Sequence, residues 1–310
     1  MKVSFLIAAF NEERYLRACI LSCLSQTYTD VEVCVVNDGS TDDTRKVFFE
    51  FDGDPRVRTL SLDKNGGKVG AFNRAFSMAS GDLYCLVGAD DTCPEDRVAK
   101  CVEVLDRTGA NLVYGDYAIC DEALCRLAVK SVEQTVTPAT IIFNNVIPGG
   151  TMLFDRSVAE LAFPIPESLR FEDWWIAFIG VFYFKVAPVG SVLLNYRIHG
   201  RNDSIDVDGL GSKRKDFMRH GAYVDEFVRF LSAHPVRDVD RYVTIAIESR
   251  LLKEIYVANR FADRLRKSLE FFRKHGLPLT KRGWFSVLIM VPLGWRGFDW
   301  ACYVVQHARR

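Results

Sequence analysis

Short apolar segments alternate with helical stretches through the first 115 residues, and this alternation constrains the fold more than any other feature. The segment Leu83–Val87 is apolar on both faces, which is typical of a strand buried on both sides. Connecting stretches of about ten to fifteen residues are long enough for crossover helices, so the pattern predicts βαβ units and a mostly parallel sheet. The predicted strands are Val3–Ala9, Val31–Val36, Val57–Leu62, Leu83–Val87 and Asn111–Tyr114.

Helices and later strands follow from the same periodicity. The chain beyond Lys213 reads as helices as far as His275, followed by a basic, aromatic tail. Before that point, helices are predicted to open at Asn11, to run from about Val69 to Ala79, from Pro94 to Arg107 and from Glu172 to about Phe182, with strands at Met152–Phe154 and Val192–His199.

Polar side chains follow the predicted strands where each strand ends. Glu12, Asp38 and the pair Asp90-Asp91 come after the first, second and fourth strands. In open α/β sheets ligands bind outside the carboxyl ends of the strands, so these residues predict one site. Paired carboxylates there can hold a hard divalent cation, although Asp91 could instead cap the following helix. Neither a dinucleotide glycine fingerprint nor a P-loop is present, which disfavours hydride transfer and ATP hydrolysis.

Charge is balanced overall but not along the chain. The formal net charge is +0, which gives no argument for nucleic acid as a partner. From Arg264 to Arg310 there are ten Lys and Arg residues against two acidic residues, so the tail is basic and the remainder mildly acidic. The nine cysteines form no Cys-x-x-Cys pair, which favours a reducing compartment over a disulfide framework. Without a signal peptide or a long apolar run, the expected location is cytoplasmic.

The basic tail contains an apolar segment with tryptophans at both ends, Trp284 to Trp295. Pro292 and Gly294 interrupt it, and it is too short to span a bilayer. Tryptophan and basic residues together favour peripheral binding to an anionic membrane surface, at the inner face of the cell membrane. The alternative is that this segment packs as a helical hairpin on the catalytic domain or in a homodimer.

Five motifs, in order, carry a resemblance to a known family. They are Ala9-Phe10-Asn11-Glu12, the run NDGSTDDT from Asn37, the stretch GADD from Gly88, the pair Glu172-Asp173, and Tyr196-Arg197-Ile198-His199. Together the motifs resemble the family-two inverting glycosyltransferases with the GT-A fold. The resemblance implies an α/β, Rossmann-like, mostly parallel sheet flanked by helices, forming a catalytic domain at 1–205. Residues 1–115 would be its nucleotide-sugar half and 116–205 its acceptor half, with 206–310 a helical C-terminal extension.

The resemblance also implies a nucleotide-sugar donor, with a UDP-sugar favoured, and Mg²⁺ or Mn²⁺ as cofactor. The acceptor would be a glycan or a polyprenyl-linked saccharide. Asp91 would be the principal metal ligand, with Asp90 and His199 as further ligands or, for Asp90, a ribose contact. The family often has another acid where this chain has Gly88, which leaves the individual roles open. The residues expected to contact the donor are Ala9, Phe10, Glu12, Asp38, Lys68, Asp90 and Arg197.

Asp173 is the predicted general base, with Glu172 beside it in the catalytic pair. An inverting transfer needs a carboxylate opposite the leaving diphosphate, and Trp174 and Trp175 could partly desolvate it and raise its pKa. On local sequence alone, Glu172 and Asp173 could simply be first-turn charges on a helix. Two other functions remain open: a sugar-phosphate nucleotidyltransferase, and a binding module without catalytic activity.

Overall fold

The computed structural model of the protein describes residues 1–143, 145–202 and 210–247. The chain divides into two compact units, Met1–Asp206 with His234–Arg237, and Val207–Ala233 with Asp238–Arg310. The second unit is described only in part, chiefly as helix Leu210–Ala233. The segment Trp284 to Trp295 and its basic neighbours lie outside the described residues.

The first unit is built on an eight-stranded sheet. The strands have the order β3-β2-β1-β4-β7-β5-β6, and β8 pairs with β5. They are β1 (Val3–Ala9), β2 (Val31–Asn37), β3 (Val57–Ser61), β4 (Leu83–Gly88), β5 (Leu112–Cys120), β6 (Arg126–Lys130), β7 (Leu153–Asp155) and β8 (Val186–Arg197).

The predicted mostly parallel α/β sheet is confirmed. Strands β1 to β4 pair in parallel, as do β5 and β8. Two strands depart from this pattern: β6 and β7 pair antiparallel with their neighbours. Strand β6 is exposed along its whole length and therefore lacks the apolar pattern that identifies a buried strand.

Helices cover the sheet at boundaries that differ by a few residues from those expected. The first helix begins at Leu16 and not at Asn11, because Asn11 has a left-handed backbone with φ of 58° that turns the chain after β1. The fourth begins at Arg97, after a turn that starts at Pro94. The helices are α1 (Leu16–Leu24), α2 (Thr44–Val47), α3 (Lys68–Met78), α4 (Arg97–Thr108), α5 (Pro138–Phe143), α6 (Arg156–Ala162), α7 (Asp173–Tyr183) and α8 (Leu210–Ala233).

The strand register brings the carboxyl ends of the central strands level. Ala9 at the end of β1 pairs with Asn37 at the end of β2, and Gly88 at the end of β4 pairs with Ala8. Beyond β4, Thr92 and Asn195 exchange backbone hydrogen bonds of 3.2 and 2.8 Å, which fasten the β4 loop to β8. The segments after β1, β2, β4 and β8 are therefore gathered at one edge of the sheet.

Over the described part of the chain, no helix is both long and apolar enough to cross a membrane.

Candidate active site

Glu12, Asp90 and His199 form a compact group at this edge. One ligand atom from each lies within 4.8 Å of the others, and all three residues are partly buried, with the His199 side chain only 3% exposed. They follow β1, β4 and β8 respectively, so strands distant in sequence bring them together. Carboxylate oxygens are the donors that Mg²⁺ and Mn²⁺ prefer, and an imidazole in the set suits Mn²⁺ better than Mg²⁺.

Hydrogen bonds hold the side chains of Asp90 and His199 in place. His199 Nε2 lies 3.1 Å from Asp90 Oδ2, and the Asn202 side-chain amide donates to the same oxygen at 3.2 Å. The Arg201 amide donates to His199 Nδ1 at 3.1 Å, which assigns the imidazole proton to Nε2. A metal ion at Nε2 would require the neutral imidazole to carry its proton on Nδ1, so the hydrogen bond from the Arg201 amide would have to be given up.

The environment of the Glu12 carboxyl group favours a bound cation at this position. Its Oε2 atom is buried and has no hydrogen-bond partner. Burial, and then repulsion from Asp90, raise the pKa of Glu12 to about 8. A buried acceptor beside a second carboxylate is costly unless something positive satisfies it. The residues present therefore fit a divalent cation.

Asp91, the predicted principal metal ligand, is hydrogen-bonded to the main chain of β8 in the structure. Its side chain is buried, and its Oδ1 accepts the backbone N–H of Arg197 at 2.8 Å. Burial, together with repulsion from Asp90, raises the pKa of Asp91 well above its usual range. Asp91 is not part of the group formed by Glu12, Asp90 and His199. It connects the β4 loop to β8, and its role as the principal metal ligand stays a prediction.

Gly88 explains how the chain accommodates two adjacent acids at this turn. A Cβ atom at Gly88 would lie 2.8 Å from Asp90 Oδ1 and 2.9 Å from Asp91 Oδ2. Both carboxylates therefore occupy the space that a side chain at position 88 would fill.

A second polar group lies where α7 begins. Lys68, the first residue of α3, forms an ion pair of 3.3 Å with Glu172, which directly precedes α7. Burial alone would lower the pKa of Lys68, but the carboxylates of Glu172 and Asp173, and more weakly Asp90, raise it. Lys68 is therefore within electrostatic range of both Asp90 and Asp173.

Asp173 has the environment of a general base. Burial, and then repulsion from Glu172, raise its pKa to about 6, against the opposing effect of Lys68. Its Oδ1 accepts the Trp174 amide at 2.7 Å. Gly149 packs directly on it, since a Cβ atom at Gly149 would lie 2.6 Å from Asp173 Cβ. Gly149 thus leaves room for this side chain.

Trp174 and Trp175, which follow Asp173, differ in burial and in hydrogen-bond partner. Trp174 is half-buried, and its indole N–H donates to the carbonyl of Ile141 at 2.6 Å. Trp175 is buried, and its indole N–H donates to the carbonyl of Ala162 at 2.8 Å. Trp175 is thus part of the core, whereas Trp174 is partly open to solvent.

The other predicted donor residues lie at the same edge of the sheet. Asp38 is only 2% exposed, and its two oxygens accept the amides of Gly66 and Gly67 at 2.8 and 2.9 Å. It therefore holds the loop that leads to Lys68, and a nucleobase contact would have to share these oxygens. Ala9 is buried, whereas Phe10 is 44% exposed and offers an apolar ring beside the site.

The Arg197 side chain, expected to contact the donor, is hydrogen-bonded to two main-chain carbonyls. Its Nε donates to the Asp90 carbonyl at 2.7 Å, and its Nη1 donates to the Glu122 carbonyl at 2.5 Å. The guanidinium thus orients the β4 loop. Tyr15 and Glu122 also contact this region and were missed, because neither belongs to a motif and both depend on long-range packing.

Comparison with known proteins shows which sequences and structures this chain is similar to. Residues 4–131 match the sequence profile described as glycosyl transferase family 2. An uncharacterized glycosyltransferase of Nostoc sp. is 27% identical over 245 residues, covering 74% of this chain and 76% of the relative. An Escherichia coli protein named UDP-Glc:alpha-D-GlcNAc-diphosphoundecaprenol beta-1,3-glucosyltransferase is 25% identical over 234 residues, covering 73% of this chain and 86% of the relative.

The fold has counterparts among solved structures. S. aureus TarS 1–349 in complex with UDP-GlcNAc aligns with a TM-score of 0.66 at 15% identity, covering 96% of this chain and 88% of that one. The mixed α/β fold matches that of GT-A glycosyltransferase structures. Residues 4–131 carry the sequence pattern of glycosyl transferase family 2, as the motifs within them predicted.

Proposed function

We propose that the protein transfers a sugar from a UDP-sugar to a hydroxyl group of a glycan or polyprenyl-linked saccharide, with inversion and with Mn²⁺ or Mg²⁺ bound. The observation that carries this proposal is the group of Glu12, Asp90 and His199, which offers one ligand atom from each residue within 4.8 Å of the others at the carboxyl ends of the strands. Lys68, paired with Glu172 at 3.3 Å, adds a positive charge beside the candidate base Asp173. The donor and acceptor named for the E. coli relative, and the UDP-GlcNAc bound to TarS, support the substrate classes.

Glu12, Asp90 and His199 would hold the metal ion. When bound, that ion supplies Lewis-acid stabilisation of the negative charge on the leaving diphosphate. Lys68 contributes a second positive charge to the same diphosphate. Phe10, with its exposed ring, offers a surface for the nucleobase.

Asp173 would accept the proton of the attacking hydroxyl. The acceptor oxygen forms a bond to the anomeric carbon on the face opposite the diphosphate, while the bond from that carbon to the diphosphate oxygen breaks. A pKa of about 6 leaves Asp173 ionised at neutral pH but more basic than an exposed aspartate, as a general base requires.

A panel of nucleotide sugars tests the donor. We expect UDP-glucose or UDP-N-acetylglucosamine, with Mn²⁺, to raise the melting temperature, because a ligand that binds only the folded state stabilises it. Slow, metal-dependent release of UDP should accompany binding. Stabilisation by GDP-mannose alone would contradict the choice of UDP. Stabilisation by a nucleotide sugar without any release, even with acceptor present, would favour the inactive binding module.

Membrane attachment is a separate part of the proposal and rests on the sequence. Basic residues near an anionic leaflet contribute about 1 kcal/mol each, so a few from the tail beyond Arg264 would hold the protein reversibly at the inner membrane face. That position would give access to a lipid-linked acceptor. The alternative is that the tail packs on the protein or in a homodimer.

Co-sedimentation with liposomes separates these alternatives. Binding is expected to need anionic lipid, to fall as salt rises, and to be lost when the chain is truncated after Lys281. Vesicles of phosphatidylcholine alone serve as the control. A truncated protein that stays folded and binds anionic vesicles as well as the full chain would contradict membrane attachment through the tail.

A further inference from the structure

Tyr15 contacts two functional side chains although it belongs to no motif. It directly precedes α1 and is only 4% exposed. Its ring stacks on the imidazole of His199 with 4.9 Å between ring centroids. The guanidinium carbon of Arg197 lies 4.7 Å from the centroid of the same ring. These are the distances of an aromatic stack and a cation–π contact, each of which restrains both partners.

Glu122 fixes Tyr15 from the turn between β5 and β6. The Tyr15 hydroxyl donates to Glu122 Oε1 at 2.6 Å, and Arg14 pairs with the same oxygen at 2.5 Å. The main-chain carbonyl of Glu122 accepts a hydrogen bond from Arg197. One residue of this turn therefore holds both Tyr15 and Arg197.

These contacts form a closed ring of residues that includes Asp90. Arg197 Nε donates to the Asp90 carbonyl at 2.7 Å, and His199 Nε2 lies 3.1 Å from the Asp90 carboxylate. Starting at Asp90, the ring runs through Arg197, Glu122, Tyr15 and His199 and returns to Asp90. Each member is thus positioned by two neighbours.

We propose that Tyr15 is a positioning residue that fixes the His199 imidazole relative to Asp90 and thereby sets the affinity of the site for its divalent cation. This inference rests on the metal site in the proposed function. Tyr15 and Glu122 lie outside the predicted ligand set. Partners that orient metal ligands typically change metal affinity by about 10- to 100-fold when mutated.

Mn²⁺ binding to the whole chain tests the role of Tyr15. The free-Mn²⁺ signal in electron paramagnetic resonance gives the dissociation constant, with and without UDP. Tyr15→Leu, which removes stacking and hydroxyl together, is expected to weaken Mn²⁺ binding about 10- to 100-fold. Tyr15→Phe keeps the ring and loses only the bond to Glu122, so its loss should be smaller. High Mn²⁺ should restore turnover, which it would not do for a general loss of stability.

Tyr28→Leu is the matched control. Tyr28 is half-buried, somewhat more open than Tyr15, and donates its hydroxyl to the main-chain carbonyl of Met1 at the opposite edge of the sheet. Its variant should bind Mn²⁺ like wild type. Unchanged Mn²⁺ affinity in folded Tyr15→Leu and Tyr15→Phe would overturn the role of Tyr15 and leave the metal site intact. Absence of Mn²⁺ binding by the wild type, with and without UDP, would overturn the metal site itself.

Discussion

Turnover is expected to fall by roughly 10²- to 10⁴-fold when Asp173 is replaced by asparagine, the usual contribution of a general base. The amide has the shape of the carboxylate, so the close packing on Gly149 is kept, but it cannot accept the acceptor's proton. Donor affinity should change little, because the base faces the attacking hydroxyl and not the diphosphate. Steady-state transfer rates and a separate UDP-sugar binding measurement check both parts.

Asp43→Asn is the control for this substitution, since Asp43 is exposed and its carboxylate pairs with Lys46. It should have wild-type turnover. If Asp173→Asn instead lowers donor affinity strongly and turnover at saturating donor is normal, Asp173 binds substrate and is not the base.

The pH dependence of turnover gives an independent test of Asp173 as the general base. Transfer needs its ionised form, so activity should be lost as pH falls through about 6. Lys68 lowers the pKa of Asp173 and Glu172 raises it. Lys68→Met should therefore move the acid limb to higher pH, and Glu172→Gln should move it to lower pH. Turnover measured at saturating donor and Mn²⁺ tests this, and shifts in the same direction for both variants would contradict the assignment.

The fold could be predicted because its signal is local. Buried parallel strands read as uninterrupted apolar segments, and the residues after them are set at one edge by the sheet itself. From the sequence, that reasoning predicted that Glu12 and Asp90 lie in one site. The motif at the end of β8 added His199 to the same site. Strand β6 was missed because its exposed residues have no apolar pattern.

The detail of the site could not be predicted because it depends on contacts distant in sequence. Asp90 and Asp91 are adjacent acids with the same chemistry, and the local sequence does not say which one faces a ligand. In the structure the backbone N–H of Arg197, at the end of β8, donates to the Asp91 carboxylate, whereas the Asp90 carboxylate contacts His199. The positions of Tyr15 and Glu122 depend in the same way on the packing of α1 against the β5–β6 turn.

Exchange of Asp90 and Asp91 for asparagine, one at a time, tests which of the two acids holds the metal ion. Asp90→Asn removes a carboxylate from the proposed ligand set, and loss of several kcal/mol of charge stabilisation corresponds to a fall in transfer of roughly 10²-fold or more. Mn²⁺ affinity should fall with it. Asp91→Asn should keep Mn²⁺ affinity close to wild type, because its Oδ1 can still accept the Arg197 amide and burial already favours a neutral side chain there.

The two variants are matched in chemistry and differ by one position, so a general effect of lost charge would lower Mn²⁺ affinity in both. Circular dichroism and melting temperature show whether each is folded, which matters most for Asp91 because it joins the β4 loop to β8. A folded Asp91→Asn that loses Mn²⁺, beside an Asp90→Asn that retains it, would restore Asp91 as the principal ligand. Wild-type activity in Asp90→Asn with EDTA present would remove the metal from the mechanism altogether. The expected result, loss confined to Asp90→Asn, would assign the ligand role to the carboxylate that faces His199.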